Sequence, residues 1–440
     1  GGLAVVVLGL LVHGSGAFAV QGCGKGQPGL LRSPVLQTSR RCGSLGAAGS
    51  PEGSPVARRV QDLSGERVVQ IADVTPGPGL RNTHLLHVTE SGKRFLAKVN
   101  TEPGALANLE AERDGLEALS EAASLCASGL VVPKPLSVGC LSGDGGFLIL
   151  EHMDLVPFGP SIPSVAGGLG RGLAMLHKAS QDSGFSAAAP LGECYGYHMD
   201  NFLGGGDQGN GWSSSLADFF VERRLKPLLD ATSHEFSRSA ESNGTPLQGA
   251  TAIDLDSYLD NVLQQAWKVL KKVEDREAPA LMHGDLWAGN AGALRTAARG
   301  PRTPVLLDPA VWMGPPEFDL ALSSLYGRFR DEFHEEYHAI LPKTPGFQER
   351  QEVYRLYHIL NHLRLHGPGF GYQGDKPRGY LEQAVESMSR ILGQPLPQRH
   401  PTSAQSSIEQ PPEFSQHPPS SIDPWRNTSG GRKPPPFNFT

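Results

Sequence analysis

A chain of 440 residues can hold one large domain or two, with ends that need not fold. Its net charge of -6 argues against nucleic-acid binding, which usually shows as a basic stripe. Hydrophobic residues reach only 39%, low for a wholly globular chain, and Gly and Pro gather at both ends, so a folded centre between two unfolded ends is expected.

The N-terminal apolar run, Leu3 to Val12, is too short to span a bilayer and is followed by the small-residue stretch "GSGAFA", as at a signal-peptidase site. The next stretch, to about residue 60, is rich in Ser, Arg, Ala and Gly with one acid, Glu52, which is transit-peptide composition. Residues 1–60 therefore read as an unfolded targeting leader, and no stable membrane association is expected. Of five cysteines, Cys23 and Cys42 leave with the leader; Cys126, Cys140 and Cys194 form no ligand-spaced pair and read as buried thiols. From about Gln398, Pro, Ser and Gln dominate without apolar periodicity, so 397–440 is expected to be a disordered tail.

The folded middle opens with "TPGPGLRNTHLLHVTESGKRFLAKVN" (75–100), where two apolar-rich strands flank the turn "ESGK" as a hairpin. Gly77 and Gly79 before it would let the backbone approach a phosphate. Residues 106–125 place Leu109, Leu116, Leu119 and Leu125 at amphipathic-helix spacing. "VVPKPLSVG" and "GGFLILEHMD" follow as a strand pair, the second apolar until Glu151. Helical patterns cover 164–178, 213–230, 252–274, 316–341 and 347–366, while "PVLLDPAVW" (304–312) is a short buried strand ending at an Asp. A small strand-rich half (61–155) thus precedes a larger, mainly helical half (156–396), a division that suits a nucleotide cleft between two lobes.

Phosphoryl transfer asks for charge on the phosphates, a metal, and a residue to orient the attacking hydroxyl. Kinase-like folds supply a strand Lys, a helix Glu, a catalytic Asp, an Asn and a second Asp, in that order. Here the order is Lys98, Glu110 or Glu112, Asp285, Asn290 and Asp308. Asp285 would accept or orient the hydroxyl proton, and Asn290 and Asp308 would offer hard oxygens to magnesium. His358, His362 and His366 share one helix face at a spacing that can bind zinc, but no partner carboxylate is evident, so packing is favoured. The sequon Asn243-Gly-Thr245 reads as incidental unless the chain is secreted.

"HGDLWAGN" with "LLDPAVWMGPPEFDLALSSLYG" resembles the fructosamine kinase, or ketosamine-3-kinase, family, which writes HGDLW and DPA where protein kinases have HRD and DFG. "FLAKVN", "LEHMD", "GGGDQGNGWSSSLADFFVERRLKP" and "PKTPGFQERQEVYRLYHILNHLRLHG" match it as well, in order, across about 61–396. The resemblance implies an α+β, two-lobed protein-kinase-like fold that uses ATP and magnesium. It places Lys98, Glu112 (or Glu110), the hinge Glu151–His152–Met153, Gly77 and Gly79 on the nucleotide, and Asn290 and Asp308 on the metal. Asp285 becomes the catalytic acceptor, and Trp287, Trp212 and His283 fall on the substrate side. The implied reaction phosphorylates the 3-hydroxyl of a ketosamine on a glycated lysine, after which the sugar leaves; ribulosamines and erythrulosamines are commonly preferred outside vertebrates. Partners would be glycated proteins or ketosamine-modified lysine, with no nucleic acid and an open oligomeric state. Pro78 interrupts the Gly-rich loop where the family has a small residue. The leader resembles the bipartite plastid leaders of algae with complex plastids, with Val20 in place of their usual Phe; the secretory pathway and the cytoplasm are the alternatives. Rival readings are an aminoglycoside- or choline-kinase relative and an inactive nucleotide-binding protein.

Overall fold

The computed structural model describes residues 53–393 except 76–80, 159–162, 182–189, 191–193, 243–251, 275–277, 296–301, 326–328, 370 and 374–375. Its first element is helix α1 (Pro55–Ser64), started by Ser54, whose hydroxyl accepts from the Ala57 N–H, and by Pro55 in the first turn. Gly65 at φ 70 ends it in the left-handed region. This helix lies partly inside the expected leader, so the folded unit starts before residue 61.

The N-terminal lobe is a five-stranded antiparallel sheet of order β1-β2-β3-β5-β4, with β1 Val68–Asp73, β2 Thr83–Thr89, β3 Arg94–Asn100, β4 Pro135–Cys140 and β5 Gly146–Glu151. Helix α2 (Ala105–Leu125) crosses between β3 and β4 in sequence. The alternation of strand side chains gives the sheet two faces. Ala97, Phe147 and Ile149 bury against Val56, Ala57 and Val60 of α1. Leu96, Leu148 and Leu150 point the other way, into the main core with α2. Lys98, two residues after Leu96, shares that inner face and sits across from His84 on β2 and Leu148 on β5. On α2, Leu109, Leu116 and Leu119 are buried as expected, whereas Leu125 at the helix end is 59% exposed.

Past the hinge, β6 (Leu155–Pro157) pairs with the later strand β10, so the lobes divide just before Leu155. The C-terminal lobe then runs through α3 (Pro163–Ser180), the hairpin β7 (Asn201–Leu203) and β8 (Gly206–Gln208), α4 (Leu216–Phe220), α5 (Lys226–Ser242) and α6 (Ala252–Lys271). Between α4 and α5 the expected continuous helix widens to a π turn over Val221–Leu225, where Arg224 turns inward. Its guanidinium lies over the rings of Phe219 and Trp312 and donates to the Gly209 carbonyl. Next come β9 (Ala280–Met282), β10 (Ala291–Leu294), β11 (Pro304–Leu306) and β12 (Trp312–Gly314), with β12 pairing β9, and β10 lying between β11 and β6.

Helices α7 (Phe318–Leu325), α8 (Asp331–His338), α9 (Phe347–His366) and, after the short hairpin β13 (Tyr372–Gln373) and β14 (Lys376–Pro377), α10 (Tyr380–Leu392) complete the lobe. Trp312 is fully buried among Phe219, Phe220 and Phe318. A buried ion pair between Glu317 and Arg350 ties the start of α7 to α9. Cys126, Cys140 and Cys194 are each half-buried rather than fully enclosed. Among the described residues, no helix is long and apolar enough to cross a membrane.

Candidate active site

Two loops meet where the lobes face each other. The first, residues 283–290, joins β9 to β10; the second follows β11 and begins at Leu307. They are zipped together by main-chain bonds: Leu307 N–H donates to Asn290 O, and Ala310 N–H to His283 O, both at 2.9 Å. Gly284 sits at φ 84, and a Cβ there would lie 1.9 Å from the Ala310 carbonyl oxygen, so only glycine fits this crossing.

The spacing of Asp285 and Asn290 is explained by this turn. Asn290 Nδ2 donates to Asp285 Oδ2 at 2.8 Å, to Asp285 O at 2.9 Å, and to Asp308 O at 3.4 Å. With its nitrogen spent on the two loops, Oδ1 is the atom left for a cation. Asp308 has φ 50, an uncommon conformation for a non-glycine residue but one that Asp tolerates. Its side chain is 48% exposed and forms an ion pair with Lys98.

Lys98 is 2% exposed and also donates to Glu112 Oε1 at 2.6 Å. Of the two glutamates open on sequence, Glu112 is therefore the partner. Burial works against the Lys98 charge, but Asp308 and Glu112 outweigh it and hold the ammonium well above its ordinary range. A narrow slot whose walls include Leu96, Leu150, Met153, Leu155 and Leu307 leads from this cluster to Glu151. Apolar walls with a cation at one end are the chemistry that a flat heterocycle with an anionic tail requires. His152, between Glu151 and Met153, does not line the slot.

Asp285 is only partly exposed, and burial pushes its carboxyl up to about 7. Asn290's hydrogen bond opposes this, while Asp308 and Asp319 add to it. A carboxylate near neutrality at the mouth of a polar cluster can take a proton from a hydroxyl.

Several contributing residues escaped the sequence reading. Asp319, at the start of α7, accepts the main-chain N–H groups of His283 at 2.7 Å and Gly284 at 2.9 Å. His177 on α3 reaches the same carboxylate at 3.2 Å and is itself hydrogen-bonded to Tyr337 at 2.9 Å. Although burial raises it, these donors hold Asp319 below the usual carboxylate range. An acid in the first turn of a helix reads as an ordinary end charge, so only its burial discloses the role. His84, opposite Lys98, is likewise buried, and burial followed by the Lys98 charge pushes its ring down to about 4.

His283 requires a correction. Expected on the substrate side, it is fully buried; its Nε2 lies 2.8 Å from the Leu307 carbonyl and its Nδ1 3.3 Å from the Asp285 N–H. In the tautomer these partners require, Nε2–H donates and Nδ1 accepts, so no ring nitrogen is left for a ligand. It shapes the loop instead. Trp287 is 39% exposed beside Asp285, its ring lying against Gly289, where a Cβ would come within 2.3 Å. Trp212 is half-buried and packs partly on the main core.

Over residues 56–392 the sequence matches the profile of a family described as fructosamine kinase. The chain belongs to the fructosamine kinase family. It is therefore a phosphotransferase with the protein-kinase-like, two-lobed architecture. A chloroplastic protein-ribulosamine 3-kinase of Arabidopsis thaliana is 32% identical, covering 70% of this chain and 82% of that relative. A ketosamine-3-kinase of Mus musculus is 30% identical, covering 64% of this chain and 85% of its own length. A crystal structure of a candidate fructosamine-3-kinase from Thermobifida fusca superposes with a TM-score of 0.57 at 25% identity, covering 78% of this chain and all of that one.

For a fructosamine kinase the Gly-rich loop is of interest, but Gly77, Pro78 and Gly79 lie outside the described residues, as do the leader up to residue 52, the sequon and the tail from 394. The histidine row on α9 belongs to packing. His358 is buried beside Phe318, and His362 Nδ1 bonds to the His358 carbonyl at 2.7 Å.

Proposed function

We propose that this fructosamine kinase transfers the γ-phosphoryl group of ATP to the 3-hydroxyl of a ketosamine carried on lysine, free or within a protein. The observation that carries the reading is Asp285: a partly buried carboxylate poised near neutrality, fixed by Asn290 and adjacent to Asp308. In this reading Asp285 orients the sugar hydroxyl and takes its proton as the phosphoryl group arrives. Lys98, steered by Glu112, holds phosphate oxygens, and the slot ending at Glu151 and Met153 takes the adenine.

The Asp308 carboxylate and Asn290 Oδ1 form a hard oxygen set that fits magnesium, which when bound neutralises phosphate charge. Trp287 offers an aromatic face to the apolar side of the sugar, and the half-buried Trp212 would be a second aromatic contact for the substrate. Phosphorylation at the 3-position would render the adduct unstable and restore the lysine. Preference for ribulosamine or erythrulosamine over fructosamine, and residence in a plastid, are supported by the likeness to a relative named as a chloroplastic ribulosamine kinase.

ATP consumption measured side by side on ribulosyl-, erythrulosyl- and fructosyl-lysine tests the reading. Turnover on at least one, with none on free sugars or aminoglycosides, is expected. Nucleotide binding without turnover on any of the three would leave an inactive binding protein as the better account.

A further inference from the structure

We infer that Tyr197 and Asp114 are positioning residues: their hydrogen bond clamps helix α2 to the C-terminal lobe and so sets the reach of Glu112 to Lys98. The inference rests on the assignment of Lys98 and Glu112 to the nucleotide. Glu112 and Asp114 are two residues apart on α2, about 200° around the helix, so they serve different faces. Glu112 turns to Lys98, while Asp114 accepts the Tyr197 hydroxyl proton at 2.7 Å and meets His198 Nε2 at 3.1 Å.

Tyr197 is 3% exposed, and its own segment is fastened to the catalytic framework. Gly196 exchanges two main-chain hydrogen bonds with Met313 of β12, at 3.1 and 2.7 Å. Tyr197 N–H donates to Asn210 O at 2.7 Å, two residues before Trp212. Gly196 stands at φ 133, and a Cβ would meet the Asn210 oxygen at 2.5 Å, so the close approach requires glycine. Next to Asp114, Gly115 packs on Pro309 and Val311, which follow Asp308; a Cβ there would lie 3.3 Å from both. The helix is thus held at two adjacent points, by the loop that carries Asp308 and by the segment of Tyr197, which is bonded to the stretch before Trp212. Loss of the phenol contact would free α2 to withdraw Glu112 from Lys98.

The test uses the full chain with Tyr197→Phe, Glu112→Gln and the double variant, measured for KM of ATP and kcat on a ribulosyl-lysine substrate. Tyr197→Phe should raise KM for ATP about tenfold, the scale of a lost hydrogen bond to a charged group. In the Glu112→Gln background the same change should move KM by less than about twofold, because the pair it serves is already broken. Asp114→Asn, which keeps an oxygen acceptor for Tyr197, should stay within about threefold of the parent, whereas Asp114→Ala, which also loses the His198 contact, should raise KM at least as much as Tyr197→Phe. These two variants carry the same test if Tyr197→Phe does not fold. Equal factors in both backgrounds, or an unchanged KM in the first, would overturn the clamp. A Glu112→Gln variant with parental KM would instead overturn the nucleotide assignment on which the clamp depends.

Discussion

Replacing Asp285 with Asn should stabilise the folded chain while removing its activity. The carboxyl, ordinarily at 3.8, is pushed up to about 7 by burial, with the Asp308 and Asp319 charges adding to it. A folded carboxyl that prefers its proton loses stability as pH rises from its unfolded value to its folded one. The penalty is absent below about pH 4 and complete above about pH 7. That interval corresponds to a ceiling of about 4 kcal/mol, and water reaching the cleft should leave about 1–3 kcal/mol. The amide introduced by Asp285→Asn would carry no such charge and would still present an oxygen to Asn290 Nδ2. Urea unfolding without nucleotide, followed by tryptophan fluorescence at pH 5 and pH 8, reads the difference directly. The variant should gain more at pH 8 than at pH 5, by about 1–2 kcal/mol. Its kcat should fall by at least about 100-fold with nucleotide affinity largely kept. An equal gain at both pH values, or no gain, would refute the account of Asp285; near-parental kcat would refute its catalytic role.

Three further outcomes are expected. Asp308→Ala should abolish magnesium-dependent ATP binding by calorimetry, since Asp308 is the half-exposed carboxylate at the cleft; unchanged affinity would move the metal elsewhere. Trp287→Ala should raise KM for the ketosamine about tenfold while leaving KM for ATP within about twofold; the reverse pattern would place Trp287 on the nucleotide side. The first 60 residues fused to a fluorescent protein should enter a plastid, and the first 22 alone should stop in the secretory path; cytosolic fluorescence for both would overturn the leader reading.

The legible parts of this protein are those with a local signature. The β2–β3 hairpin follows from "ESGK" between apolar runs, and α2 from its leucine spacing, because both patterns depend only on near neighbours. The site order from Lys98 to Asp308 is readable because each residue stands in a motif of fixed spacing. What escapes depends on distant contacts. Helix α1 reads as leader because its apolar stripe, Val56, Ala57 and Val60, is short and makes sense only against Phe147 and Ile149. The choice between Glu110 and Glu112 needs the rotation of α2 about its axis. His283 looks like a ligand because its motif borders the site, yet burial and two internal partners consume its ring.

The charges of the cleft explain why its residues are held so firmly. Glu112 and Asp308 share one ammonium, Lys98, while Asp285 keeps its proton chiefly because it is buried, with the Asp308 and Asp319 charges adding to the effect. Such a cluster is unfavourable in the folded chain unless something fixes it, since three carboxylates would otherwise turn to water. The fixing groups are uncharged or remote: Asn290 bridges the two loops, Asp319 grips the loop through main-chain N–H groups, and His177 with Tyr337 braces Asp319 from behind. In the proposed reading, the frame therefore preserves negative charge at the place where phosphates would dock. A bare nucleotide would be repelled there, whereas one accompanied by a divalent cation brings the missing positive charge. That asymmetry, more than any single contact, is the physical reason to expect a strict metal requirement in this kinase.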